Sequence, residues 1–346
     1  MTTHVISPPA SDTRSASPGL WTLAWRRLRA DRVAMAALAV VLAFLLLLVL
    51  SSAGLVAADW EDEVAVNYAP PTFVGADAAT RALAAAQAPR ATPPNAFDPL
   101  ADELAELKAR VAAEHPPLEK LTTLPFGADK WGHDVLKKTI KGGETSIVVG
   151  LVAAFVAVAL GTLFGAVSGF YGGLVDDLFN WFYSIFTSIP SILMILTVAA
   201  VLQQKGLMTI VLILGLTGWT GPYRLMRAEY MKHKAREYVM AADAIGASSW
   251  RRMFGHILPN VSHVALVQMS ILVVGFIKAE VILSFLGFGV PVGTVSWGSM
   301  LNEAQNELIL GKWWQLAAAA SAMALLVTAF SLFADALRDA LDPKLK

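Results

Sequence analysis

The passage Glu237-Tyr-Val-Met-Ala-Ala-Asp-Ala-Ile-Gly-Ala-Ser-Ser-Trp-Arg-Arg-Met-Phe-Gly-His-Ile-Leu-Pro-Asn260 is the one polar, helix-turn-helix-like stretch in a carboxy-terminal half that is otherwise mostly apolar. Tyr238 to Ala244 predicts a short helix rich in small residues. Gly246 supplies a position that can leave helical geometry, and Ser248-Ser249 can cap a second helix beginning near Trp250. Pro259 predicts a bend into the next apolar run. Small side chains on one face let a partner's backbone come close, while Arg251 and Arg252 keep the segment in water.

Around this passage lies a chain of 346 residues that is 56% hydrophobic and only 16% charged, with a positive mean hydropathy. So few charges, combined with several long apolar runs, predict an all-helical integral membrane protein. The 27 basic and 27 acidic residues cancel, so nucleic-acid binding has no electrostatic support. There is no cysteine, hence no disulfide frame and no thiol nucleophile. The six histidines are scattered, without a His-Glu-x-x-His pair, so this chain alone predicts no metal site. No Gly-x-x-x-x-Gly-Lys-Ser/Thr phosphate loop occurs, and no nucleophile, base and orienting group cluster. No catalytic residue is expected, and any ATP must be bound by another chain.

Taken in order, residues 1–32 predict a polar cytoplasmic tail, ending in Trp25-Arg26-Arg27-Leu28-Arg29 and Arg32. The apolar run Val33 to Leu50 opens a first span assigned to 33–57, read as a retained helix and not a cleaved leader. Residues 58–144 form an outer insertion. Within it Asp98-Pro99 predicts a helix start, Leu100, Leu104, Leu107 and Val111 recur at helical spacing, and His115-Pro116-Pro117 stops the run. The second span is placed at 145–170, where Gly161, Gly165 and Gly169 fall on one helix face and let a neighbour approach closely. The third, 178–202, carries Pro190, which predicts a kink or a break. The fourth is 207–223. A loop at 224–260 follows, with Arg224, Arg227, Lys232, Lys234, Arg236, Arg251 and Arg252, and its charge places it in the cytoplasm. The fifth span, 261–286, an outer loop at 287–314 and a sixth span at 315–334 complete six crossings with both ends inside. In the fifth span Lys278 and Glu280 stand about 200° apart around the helix. Ionisable groups there are costly, so each should face a wet cavity or a partner, and both become candidates for a translocation path.

The opening passage resembles the EAA loop of ABC importer permeases, whose pattern is Glu-Ala-Ala, three residues, Gly, and Leu-Pro about a dozen further on. Ala241, Ala242, Gly246, Leu258 and Pro259 stand at those spacings, with Met240 in place of the Glu. The ending His256-Ile-Leu-Pro-Asn260 looks like the peptide and nickel branch. Phe126-Gly-Ala-Asp-Lys-Trp-Gly-His133-Asp134 is similar to that branch's Phe-Gly-Thr-Asp-x-x-Gly-Arg-Asp passage, with His133 for Arg. Further likenesses are Tyr171-Gly-Gly-x-x-Asp176, Glu280-x-x-x-Ser284-Phe-Leu-Gly287, Ser296-Trp-Gly-x-Met-Leu301 and Leu337-Arg-Asp-x-Leu-Asp-Pro343.

The resemblance implies the type I importer permease fold and a second-permease, C-type subunit for dipeptides or oligopeptides, with nickel or another small nutrient as the alternative cargo. It implies an inner-membrane location, a second homologous permease, two ABC ATPases carrying ATP and magnesium, and an extracytoplasmic substrate-binding protein. Membrane lipid is the remaining partner. The ATPase-coupling residues so implied are Tyr238, Ala241, Ala242, Asp243, Gly246, Ala247, Ser248 and Pro259. A secondary transporter would show an internal repeat between its halves, and none is visible.

Overall fold

The structure, a computed structural model, describes residues 20–87, 100–114, 120–291 and 293–341. It is helical throughout, and the described residues pair their extended segments only in isolated bridges. α1 (Leu20–Ala30) leads into α2 (Arg32–Ser52), whose start is capped by Asp31: its carboxylate accepts from the amides of Val33 and Ala34. The outer insertion holds α3 (Ala78–Gln87) and α4 (Ala101–Glu114). Leu100, Leu104, Leu107 and Val111 do share a helical stripe, but all four are exposed among the described residues. The expected Asp98-Pro99 start and His115–Pro117 stop lie outside the described residues.

The second span differs from expectation in its length. α5 (Val135–Tyr171) is 37 residues, begun ten residues earlier than predicted by Asp134, whose carboxylate accepts from Leu136 N at 2.8 Å. His133-Asp134 is therefore a helix start. The third span is broken as Pro190 predicted: α6 (Gly173–Thr187) and α7 (Ser191–Leu202) meet at 84°. Proline in first position suits the N-terminus of α7 and cannot continue α6. α8 (Leu207–Thr217) is only 11 residues, and after a two-residue break α9 (Thr220–Lys234) carries the chain well beyond residue 223. The expected loop at 224–260 is thus mostly helix. It comprises the end of α9, the short α10 (Glu237–Ala244) and a π-helical turn, Arg251–Ile257, that runs directly into α11 (Leu258–Phe285).

Pro259 does not bend the chain. Arg251 to Phe285 is one continuous helical span, and the wide π turn lies just ahead of the proline. There Leu258 N bonds to Met253 O, five residues back. A π turn shifts the hydrogen-bond ladder by one residue and accommodates a ring that has no N–H to give. α12 (Trp297–Ile309) occupies the expected outer loop, and α13 (Trp314–Leu341) closes the chain.

Among the described residues, four helices are long and apolar enough to cross a bilayer: α2, α5, α11 and α13, with α6–α7 as a bent fifth and α8 as a shorter apolar helix. α5 is the centre of the bundle. Half of its most apolar stretch is buried, against 17% for α2. The glycine stripe explains the tightest contact. A β-carbon on Gly161 would lie 2.6 Å from Trp219 O; on Gly165, 2.8 Å from Arg227 N; on Gly169, 2.5 Å from Arg227 O. Only glycine lets the backbone of α9 come this near. At the same end of the bundle, Ala24 and Leu28 of α1 pack on Ala340 and Leu341 of α13. The insertion caps the opposite end, where Trp314 Nε1 donates to Ala128 O at 2.7 Å.

Candidate functional site

α10 sits on the end of the bundle where α5 stops and α9 and α11 meet. Its inner face is fixed by packing: Val239 is buried in one cluster with Phe170, Met226, Tyr230, Met253 and Ile257, and Ala242 is buried beside it on the same helix. Tyr230 adds a hydrogen bond across that cluster, from its hydroxyl to the Met253 carbonyl inside the π turn (3.2 Å). Its outer face is free. Tyr238, Ala241 and Ile245, spaced at i, i+3 and i+7, are exposed, and Ile245 is 86% so.

The remaining predicted positions form the frame. Gly246 adopts φ +82° with open space around its α-carbon, so it ends α10 without strain. Ala247 follows, half-buried, and Ser248 Oγ accepts from Arg251 N at 3.3 Å to start the next helix. Asp243 holds Arg252 at 2.5 Å across the turn, and the Arg252 guanidinium lies 5.4 Å over the Phe170 ring. Burial lowers the His233 imidazole below its usual range, against the pull of Glu229, and Nδ1 meets the Tyr238 hydroxyl at 2.7 Å. Pro259 is exposed on α11. Ala242 alone among the coupling candidates is turned inward: its small size serves the core beneath α10 and not the surface above it. Sequence reading missed Met240, Ile245 and Trp250, all exposed. Large apolar groups inside an otherwise polar loop were the available signal.

Lys278 and Glu280 point different ways, as their spacing requires. Lys278 is exposed on α11, whereas Glu280 is wholly buried. Ser146 Oγ and Ser284 Oγ each donate to its carboxyl at 2.6 Å, and Trp297 N donates to Ser146 Oγ at 3.3 Å. Glu280 has met partners instead of a wet cavity, tying α5, α11 and α12 together. The Ser-Phe-Leu-Gly and Ser-Trp-Gly passages meet here, since a β-carbon on Gly298 would lie 2.6 Å from Ser284 Cβ.

Above this hub is a second polar cluster that the sequence did not announce. Lys138 is buried and bonds Asp129 (2.7 Å), Glu303 (2.6 Å) and Gln315 (3.4 Å). Burial opposes ionisation of Asp129, but the Lys138 ammonium outweighs it and holds the carboxyl below its ordinary range. Glu307 lies in the same cluster, 1% exposed, with neither carboxyl oxygen hydrogen-bonded. Burial pushes it up to about 7, opposed by Lys138 and assisted by Asp129 and Glu303. Beside the cluster opens a vestibule of about 670 Å3 between the insertion and the loop before α12, with Ser284 in its wall.

A helical bundle of long apolar spans, a surface helix braced at one end and a polar vestibule at the other define a multi-pass membrane transport component. The family described as "Binding-protein-dependent transport system inner membrane component" matches residues 161–346, and the "N-terminal TM domain of oligopeptide transport permease C" matches 19–71. The chain belongs to that inner-membrane component family and is a multi-pass inner-membrane protein. It is 37% identical over 221 residues to the dipeptide transport system permease protein DppC of Bacillus subtilis, covering 64% of this chain and 69% of the relative. The oligopeptide transport system permease protein OppC of the same organism is 37% identical over 221 residues (64% and 72%). OppC of Haemophilus influenzae is 35% identical over 219 residues (63% and 70%).

Proposed function

We propose that this chain is one of two permease subunits of an ATP-driven importer for dipeptides and oligopeptides. It works beside a second homologous permease, two ABC ATPases and an extracytoplasmic substrate-binding protein. The chain itself catalyses no reaction, and ATP and magnesium reside on the ATPases. Its relatives' transport of peptides supports the cargo. The observation that carries the coupling role is the two-faced mounting of α10, with Tyr238, Ala241 and Ile245 outward, Val239 locked into the core with residues of α9 and the π turn, and Ala242 buried.

A helix held in this way moves as a rigid body. When the ATPases close, a push on the outer face of α10 reaches α9 through Tyr230 and α11 through Met253 and Ile257. α9 is in backbone contact with the glycine stripe of α5, so the displacement passes into the bundle. Arg227 of α9 also grips Asp176 of α6 through two hydrogen bonds, of 2.6 and 2.5 Å, which couples the bent third span to the same movement. Alternation between outward- and inward-open states then follows from two packings of one bundle.

Ala241→Asp places a charge on the outer face, and Gly246→Trp places bulk beside it and strains the left-handed turn that ends α10. Each is expected to cut peptide uptake by the reconstituted importer at least about tenfold, while insertion and subunit levels stay normal. ATPase activity should lose its dependence on the loaded binding protein. Normal uptake by both variants at normal subunit levels would sink the coupling role.

A further inference from the structure

We propose that the outer vestibule is a contact site for a short peptide with both termini free, carried by the permease itself. The inference rests on the peptide-import reading above. The cavity, about 670 Å3, falls within the range of ~300–1,000 Å3 found for small-molecule sites. Its wall offers both charge signs in forms that the fold has not used. Glu303 is 30% exposed; its Oε2 receives Lys138 and Gln315, while its Oε1 accepts no hydrogen bond from the described residues. Lys130 and Lys205 line the same cavity and form no ion pair among the described residues. Lys130 rests 5.4 Å over the Trp131 ring.

Three neighbouring lysines are instead held in ion pairs. Lys137 is paired with Asp59, Lys120 with Glu63, and Lys138 with Asp129. Lys130 and Lys205 therefore stand in the cavity wall without an ion pair among the described residues, together with Glu61 and the Glu303 oxygen that accepts no hydrogen bond. A peptide ammonium matches Glu303 Oε1, and a peptide carboxylate matches Lys130 and Lys205. Trp60 and Trp131 supply flat apolar surface for the side chains between the two termini. Ser284 contributes a rigid wall, because its hydroxyl is committed to Glu280. An inorganic cation would leave the lysines opposed, and no cluster of three metal-ligating side chains occurs among the described residues.

The test uses the complete importer in proteoliposomes with trialanine and saturating binding protein. Three versions are compared: the wild type, a Lys130→Ala/Lys205→Ala double variant, and a Lys130→Arg/Lys205→Arg double variant. Uptake by the alanine variant is expected to fall about tenfold and to return to within about twofold in the arginine variant. The affinity of the complex for loaded binding protein should stay unchanged. Wild-type uptake with an unaffected alanine variant would overturn the site alone. A loss of uptake matched by an equal loss of binding-protein affinity would also overturn it, making the patch a protein dock. Failure of the wild type to import any peptide would instead remove the import reading on which the site rests.

Discussion

Glu307 shows how much one side chain can say that its sequence position does not. It is acidic, sits on an amphipathic helix outside the spans, and would ordinarily be read as a solvated surface group. In the fold it is enclosed by Asp129, Glu303 and Lys138, with Tyr68 close enough that its own hydroxyl is pushed up, chiefly by burial and then by Glu307. One lysine cannot neutralise three carboxylates, and burial with the nearby charges of Asp129 and Glu303 favours the protonated form of Glu307. The consequence for stability has a definite sign. Its pKa rises from 4.5 to about 7 on folding, so the folded state holds the extra proton. The associated stability is fully present below about pH 4.5 and is lost as pH rises towards 7 and beyond. Glu307→Gln keeps the group neutral at every pH. In detergent, the variant is expected to melt a few degrees above the wild type at pH 8, with the gap closing near pH 5. Parallel melting curves across that range would show that Glu307 is ionised or solvated throughout. Glu280 gives the complementary lesson: its cost in an apolar helix was legible, but whether it faced water or serines depended on Ser146, 134 residues away.

At the scale of elements, the sequence was informative where one local rule decides. The stripe of glycines every fourth residue announced a close helix contact, and α9 fills it. Pro190 announced a break, and the 84° corner between α6 and α7 follows. Pro259 misled, because proline is incompatible with a regular α-turn but not with a π turn, and nothing local distinguishes the two. The ends of α5, α9 and α11 were missed for a related reason. Polar residues such as Lys137 and Arg227 marked the limit of apolar composition, yet the helix continues wherever their side chains find partners. The glycine contact yields a paired prediction. Gly165→Ala presses a methyl group onto the α9 backbone and should destabilise the solubilised protein by about 1–3 kcal/mol, lowering its melting temperature by several degrees. Gly275 has open space around it, so Gly275→Ala should change little or add stability by helix propensity. Equal behaviour of the two variants would mean that α9 and α5 are not in backbone contact.

The whole molecule is organised along α5, which at 37 residues extends about 55 Å and joins the two polar ends. Its first turns hold Lys138 and Ser146, at the vestibule; its last turns receive α9 and abut α10. Overall class was readable from composition, and the polar ends could be assigned to sides by their arginines and lysines. The contacts show which polar segments share an end of the bundle. The carboxy-terminal end of α13 packs on basic α1, while its first residue, Trp314, bonds the insertion at the far end. The proposed topology puts α10 and α4 on opposite sides of the membrane. The absence of cysteine from the sequence makes the point directly measurable, since any introduced thiol is the only one. Ile245→Cys should react with a membrane-impermeant maleimide in inside-out vesicles and be protected in spheroplasts. Lys108→Cys, exposed on α4, should show the reverse. Labelling of both from one side would require an odd number of crossings to be added or removed between residues 108 and 245. That would break the link between the vestibule and the coupling helix across the bilayer.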